Sequence, residues 1–418
     1  MRVLDLFNGE KSKIASFAIT GVALLCAIIV GFYPDFSWLL LVTILLTLTA
    51  SVVFCKKYNN AGLITNRMLV GALFIFSSFV KGVDPLGTKY KVIDYLEAYG
   101  MEWMIDAALV LAVVMILAEF IVGVCLFVNV LPRLATLGAT LLMLFFTVTT
   151  YFDAKYDLVP DCGCFGTAIK MSNWQTFFKN LIIDSVLIPV FVNNKSFKNR
   201  LLTKVGQWIA AGVFMIAFLW FQIYNIRHLP IIDFMEWKVG RDMSDVLKYD
   251  PGENYVTYKN NKTGELREYL SPNYPWNDTV WVKEWTWVST RNVGASESIG
   301  FLIEDAAHND VTEKLISTEN LYVFVAPCIR EFSDKDFENC RKMMEVIEKN
   351  GYNYMWITAE DPESDYMELI SEKYPMFDEV YYGDDRELKS MVRSNPGLML
   401  IDKGLIKNKW SRIDFPLD

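Results

Sequence analysis

The feature that most constrains this chain is a set of apolar stretches long enough to cross a bilayer. Ile14–Tyr33, Phe36–Cys55, Leu134–Phe152 and Val205–Ile226 carry no charged residue. Met68–Val83 carries only Lys81, Ala107–Val130 only Glu119, and Asn180–Val192 only Asp184. A helix needs roughly 20 predominantly apolar residues to span the hydrocarbon core, so the pattern predicts about seven membrane-spanning helices. The first is too long, and too closely followed by a second, to be a cleaved signal peptide.

The apolar excess is local. The chain has 418 residues and is 53% hydrophobic, but the long runs stop near Arg227 and the remainder reads as ordinary soluble sequence. The expected organisation is a transmembrane domain over residues 1–226, a β-rich connecting segment over 227–293 and an α/β domain over 294–418. A net charge of -9 argues against a nucleic-acid partner, which needs a basic face. Two histidines, His228 and His308, are too few for a His-rich metal centre, and no nucleotide, heme or flavin motif is present. The site prediction therefore contains no metal. Seven cysteines remain as the main reactive groups.

Basic residues in short loops set orientation. With the N-terminus inside, Arg2, Lys11, Lys13, Lys56, Lys57, Arg67, Arg133, Lys195, Lys198, Arg200 and Lys204 face the cytoplasm. Lys81, Lys89, Lys91, Lys155, Lys170 and Lys179 fall in the outer loops. This bias predicts a bacterial inner-membrane protein with a periplasmic C-terminal domain and a periplasmic loop over 153–179.

Glu119 lies near the middle of its span. An intramembrane carboxylate is a functional candidate by default, for a proton or quinone role, and is expected either to be protonated or to pair with Lys81. A buried pair that only fixes helix packing is the competing reading. Asp184 carries the same ambiguity. Cys26, Cys55 and Cys125 read as small hydrophobes within apolar runs.

The sharpest local motif is Pro160-Asp161-Cys162-Gly163-Cys164-Phe165-Gly166. A disulfide between residues two apart would be strained and easily reduced, and Gly163 and Gly166 give the backbone freedom a tight ring needs. Asp153, Asp157 and Asp161 weigh the other way, because negative neighbours suppress thiolate formation. Redox activity, a static disulfide or plain turn, and an intermolecular or metal role all stand at this point.

In the C-terminal part, Tyr255–Lys259 and Val280–Val288 read as strands around the turn at 260–264. Packing is the expected use of Trp276, Trp281, Trp285 and Trp287. Leu321–Val325 reads as a buried strand, Ser333 with Asp336 as a helix start, and Tyr352–Thr358 as a second strand. Helices are expected over Glu363–Lys373 and Asp385–Val392, and a hairpin over Gly397–Ile401 and Leu405–Trp410. Alternating strands and helices followed by a hairpin give an α/β domain.

Two resemblances follow. Met68–Thr88 (MLVGALFIFSSFVKGVDPLGT), PDCGCFG and SNWQTFFKN together resemble the DoxX/MauE-like membrane family, over roughly residues 66–193. That resemblance implies a four-helix unit in which Cys162 and Cys164 form a redox pair and Glu119 is a polar residue of the bundle. DoxX relatives imply a quinone as the cofactor. Asn395-Pro396-Gly397-Leu398-Met399-Leu400-Ile401 resembles the cis-proline loop of a thioredoxin-like domain, and His228–Phe234 the junction leading to it. That fold's Cys-x-x-Cys is reduced here to Pro327-Cys328-Ile329-Arg330-Glu331, with Glu331 where a second cysteine would stand. One thiol cannot run dithiol exchange alone, so Cys328, Asn395 and Pro396 are read as a partner-binding groove.

Two function classes result: envelope thiol–disulfide or quinone-linked redox chemistry, or a non-catalytic scaffold subunit that binds other envelope proteins. The lipid bilayer is the one partner common to both. A transporter is weaker, since no internal repeat supports it.

Overall fold

The computed structural model describes residues 60–417, apart from short stretches at 160–162, 167, 170, 200, 248–252, 272, 276–277, 294–300 and 362–363. The two first predicted spans, with Cys26 and Cys55, lie outside the described residues. So do Cys162, Asp161 and Trp276. The chain divides into two units, one ending at Phe234 and the other starting at Met235.

Five helices of the first unit are long and apolar enough to cross a membrane. They are α1 (Asn60–Val83), α3 (Ala108–Phe127, preceded by a 3-10 turn over Glu102–Ala107), α4 (Pro132–Tyr156), α5 (Asn173–Val192) and α6 (Lys204–Arg227). A shorter helix, α2 (Pro85–Ala98), follows α1 directly. Its start is explained by Asp84, whose side chain accepts the Gly87 N–H at 2.9 Å, and by Pro85 in the first turn. The outer faces of these helices are apolar. On α6, Val205, Ile209, Val213, Ile216 and Trp220 follow one another at helical spacing and all are exposed. In water such a face would be an aggregation site, so it is built to meet lipid. This is a membrane protein with an α/β domain attached.

Close approach of α1 and α3 fixes the bundle. A Cβ on Gly71 would lie 2.8 Å from the Phe127 backbone nitrogen, and one on Gly123 would lie 2.9 Å from that of Ile75. Only glycine lets these two backbones touch, the small-residue packing that bilayers favour. Polar side chains tie other helices. Asn66 on α1 donates to the Val186 carbonyl on α5 at 3.2 Å, Arg67 donates to the Leu126 carbonyl on α3, and Asn225 on α6 donates to the Gly82 carbonyl at 3.2 Å.

Three sequence expectations are corrected here. Arg67, placed in an inner loop, sits inside α1 and is buried. Lys89 and Lys91, placed in an outer loop, lie on α2. The sixth predicted span, read from Asn180, begins at Asn173, with Ser172 and Gln175 forming a reciprocal capping box. The helix therefore takes in Lys179, which is buried at 8% exposure instead of sitting in a loop.

The second unit holds two sheets. The smaller is antiparallel, in the order β2–β1–β3: β1 is Glu253–Asn260, β2 Leu266–Leu270 and β3 Trp285–Val293. Gly264, at φ +75°, closes the β1–β2 hairpin by donating to the Asn260 carbonyl at 2.9 Å. The predicted strand over Val280–Val288 is half wrong. Asp278 accepts the Val280 and Trp281 N–H groups and starts a short helix, α7 (Thr279–Glu284), before β3 begins. That turn stacks Trp281 on Trp285 at 6.0 Å and sets it edge-on to Tyr258 at 4.6 Å, so these tryptophans pack against one another.

The larger sheet has six strands in the order β4–β7–β6–β5–β8–β9. They are β4 (Ile303–Glu304), β5 (Leu321–Ala326), β6 (Asn353–Thr358), β7 (Val380–Gly383), β8 (Gly397–Asp402) and β9 (Leu405–Ser411). Strands β5, β6 and β7 run parallel, and β8 returns antiparallel beside β5. Central β5 is buried along both faces, as a parallel strand between layers should be. Helix α8 (Asp334–Lys349) starts at the expected Ser333–Asp336 capping box. Its Cys340, Met343 and Ile347 join Phe324, Trp356 and Leu398 in the core. Helices α9 (Asp365–Lys373) and α10 (Asp385–Met391) follow β6 and β7. Strand β7 was not read from the sequence. Its four residues are too short for an alternation to register.

Candidate functional site

In the membrane unit, Lys81 Nζ lies 2.7 Å from Glu119 Oε2, and both side chains are almost completely withdrawn from solvent. The ammonium also stands 5.5 Å from the centre of the Phe146 ring. The pair joins α1 to α3 in a place where each partner alone would be costly.

The pair opens onto a cavity of about 530 Å³ walled by α1 to α5 and by the loop carrying Gly163, Cys164 and Phe165. Most of the wall is apolar: Leu73, Phe74, Leu111, Val114, Met115 and Phe146 contribute to it. Its polar groups are few and converge, as in small-molecule sites generally.

The loop is held in place from below. Gly166 donates to the Gly163 carbonyl at 2.9 Å, and both glycines have positive φ, +60° and +55° for Gly163 and Gly166. Ser77 Oγ on α1 donates to the Cys164 carbonyl at 2.8 Å. A tight turn thus presents Cys164 at the cavity wall, with Phe165 buried beneath it and tilted against Phe76 at 5.7 Å. Sequence proximity suggested an acidic surrounding for this thiol. In space, Asp153 accepts a 2.6 Å hydrogen bond from Tyr95, and Asp157 accepts one from Asn173 at 3.2 Å. Among the described residues, the charged groups that line the cavity with Cys164 are Lys81, Lys91, Lys179 and Glu119; Asp161 lies outside the described residues.

Lys179 is the residue that sequence reasoning missed. Its Nζ lies 4.6 Å from the Phe165 ring centre. Among the described residues its ammonium donates no hydrogen bond and joins no ion pair. The signal was available in Ser172 and Gln175, whose spacing marks the helix start seven residues upstream. Asp184, the other candidate on this helix, accepts a 2.8 Å hydrogen bond from Thr147 and ties α5 to α4. Cys125 is buried in the bundle core.

Residues 59–192 match the family model of the methylamine utilisation protein MauE. The MauE match spans α1 to α5, the same helices that wall the cavity, and includes Lys81, Glu119, Cys164 and Lys179. No curated protein and no solved structure matches the chain.

The α/β domain has its own candidate. Cys328 follows β5 and lies beside the Asn395–Pro396 peptide, which is cis. Asn395 Nδ2 donates to the Cys328 carbonyl at 2.7 Å and to Glu331 at 3.2 Å. The thiol donates to Glu360 Oε1 at 3.4 Å, and Glu360 is held by Arg330 at 3.1 Å. Burial pushes the Cys328 thiol up, and the hydrogen bond and charge of Glu360, with the charge of Glu331, push it further. This is a thiol kept protonated, the opposite of an activated nucleophile.

Proposed function

We propose that the chain is an inner-membrane redox protein in which Cys162 and Cys164 form a dithiol–disulfide pair that exchanges electrons with a quinone in the cavity. One observation carries this reading: Cys164, the Lys81–Glu119 pair and a buried lysine with no charged partner among the described residues all border one largely apolar cavity within the MauE-matching helices. The cavity fits an amphiphilic carbonyl compound on two counts. Its walls suit an apolar ring, and Lys179 offers donors with no acceptor from the described residues.

A bound quinone supplies a two-electron, two-proton acceptor. The two thiols lose two electrons and two protons and close one S–S bond. Lys81 and Glu119 keep a charge pair at the wall through which protons exchange. Cytoplasmic N-terminus and periplasmic α/β domain follow from the distribution of lysine and arginine, and would place the pair where disulfides persist.

The α/β domain is proposed to be a thioredoxin-like module that binds instead of reacting. The parallel β5–β6–β7 core, the antiparallel β8–β9 hairpin and the Cys328–Pro396 apposition support that reading. A suppressed thiol with Glu331 in place of a second cysteine favours recruitment of envelope proteins over exchange.

Differential alkylation of membranes tests the main reading. Reduced protein should show Cys162 and Cys164 modified, and added menadione should protect both. If both cysteines keep one state through reductant and menadione, the redox reading fails. Should that happen while stoichiometric envelope proteins co-purify in mild detergent, the scaffold reading takes its place.

A further inference from the structure

Lys179 is buried in a membrane bundle and, among the described residues, has no acceptor for its ammonium. Lys179 has three N–H donors, only 8% exposure, and a place in the cavity wall. The Phe165 ring offsets part of its lost hydration, since a desolvated cation over an aromatic face is attracted to the ring quadrupole. A ring face accepts no conventional hydrogen bond, so among the described residues the ammonium has no acceptor and is left to the cavity that its side chain lines. A cation so placed, in a largely apolar wall, is a ready donor to whatever fills the cavity.

The other cations of the cavity differ. Lys81 is neutralised by Glu119 at 2.7 Å, and Lys91 approaches Asp94 at 3.8 Å. Lys179 has neither kind of partner among the described residues. It also touches the thiol loop, because the ring beneath it belongs to Phe165, the neighbour of Cys164, while the Lys91 stem lies beside Gly163 of the same loop.

We propose that Lys179 is the anchor for the ligand: its ammonium donates to the reducible carbonyl oxygen of a quinone lying in the cavity. This rests on the quinone reading above and adds the residue that selects the ligand. A carbonyl oxygen gains electron density during reduction, and a fixed cation aimed at it stabilises that change without reorganising. Lys179 itself forms and breaks no covalent bond and keeps its proton. The apolar walls then hold the ring and tail, while the ammonium sets which end points toward Cys164. Three lysines line the cavity against the single Glu119 carboxylate, so an anionic amphiphile is the rival ligand that the test separates.

The test uses the full chain in lipid nanodiscs, with menadione as the probe and laurate as an anionic amphiphile. Binding is read by equilibrium dialysis, independently of thiol oxidation. Wild type should bind menadione, and Lys179→Met should bind it at least tenfold more weakly, which is about 1.4 kcal/mol. Lys179→Arg, keeping the charge and donors, should recover most of that loss. Thermal unfolding of each variant separates lost binding from lost folding. Menadione binding within twofold of wild type in a folded Lys179→Met chain overturns the anchor role and leaves the quinone reading standing. Absence of menadione binding in folded wild type overturns both. Laurate displacing menadione at lower concentration than menadione itself requires would assign Lys179 to an anionic ligand and overturn the proposal.

Discussion

Lys81 and Glu119 meet at 2.7 Å across the α1–α3 contact, with side-chain exposures of 6% and 4%. Two charges so placed are mutually dependent. Removing one leaves the other buried, at a cost of about 3–5 kcal/mol. Lys81→Met and Glu119→Gln should each destabilise the purified chain by that order. The double variant should recover much of the loss, since it leaves no unpaired charge. Unfolding by detergent titration measures all three. Additive losses in the double variant would show that the two side chains act separately.

The α1–α3 crossing makes a sharper steric prediction. Gly123→Val inserts carbon where a single Cβ already meets the Phe74 Cβ at 2.8 Å and the Ile75 nitrogen at 2.9 Å. Backbone cannot yield there, so the variant should lose monodispersity in size-exclusion chromatography. Gly212→Ala, on α6 with nothing within 4 Å, is the control and should gain up to about 1 kcal/mol from helix propensity.

Cys328 should be slow to alkylate at neutral pH. Burial raises its pKa first and Glu360 next, so its thiolate appears only at more alkaline pH than an ordinary cysteine's. Glu360→Gln removes an acceptor and a negative charge, and should shift the pH profile of maleimide labelling downward. The same shift has a stability sign. A thiol whose folded pKa is raised stabilises the fold fully below its unfolded value and loses that contribution as pH rises through the folded one. Alkaline unfolding of the Cys328→Ser chain should therefore begin at higher pH than in wild type. An unchanged onset would mean that the thiol is not a determinant of the fold's alkaline limit.

Asn395 latches the loop after β5 to the loop before β8, through 2.7 Å and 3.2 Å bonds to the Cys328 carbonyl and Glu331. Asn395→Ala should cost about 1–3 kcal/mol, the usual penalty for an abandoned partly buried partner. Protection of the Cys328 thiol should fall with it. Hydrogen exchange over residues 327–332 reports the loosening directly.

Much of this was legible in the residues. Apolar runs announced the five described spans because the bilayer demands length and apolarity together. For Glu119 the sequence offered protonation or a pair with Lys81, and the structure has the pair. The Ser333–Asp336 start of α8 was equally plain. Less legible was everything set by helix ends and by space. Lys179 looked like a loop residue because the apolar run begins one position later, although Ser172 and Gln175 start the helix well before it. Nor could spacing announce that Tyr95, on another helix, donates to the Asp153 carboxylate. The strand predicted from Val280 failed at its first half because one side chain, Asp278, supplied a helix cap that alternation cannot register.

The polar partners of α1 bear on how the chain reaches its bilayer. Asn66, Arg67 and Lys81 bond to groups on α5 and α3, which the ribosome makes later. An isolated α1 released sideways into lipid would carry Arg67 and Lys81 there without their partners, at a cost below the about 2.5–3.5 kcal/mol of a charge at the span centre because both lie toward the helix ends. The helix is better kept at the insertion machinery until α3 arrives with Glu119 and the Leu126 carbonyl. Biogenesis of this bundle is therefore expected to proceed in groups of helices, with α1 and α3 partitioning together.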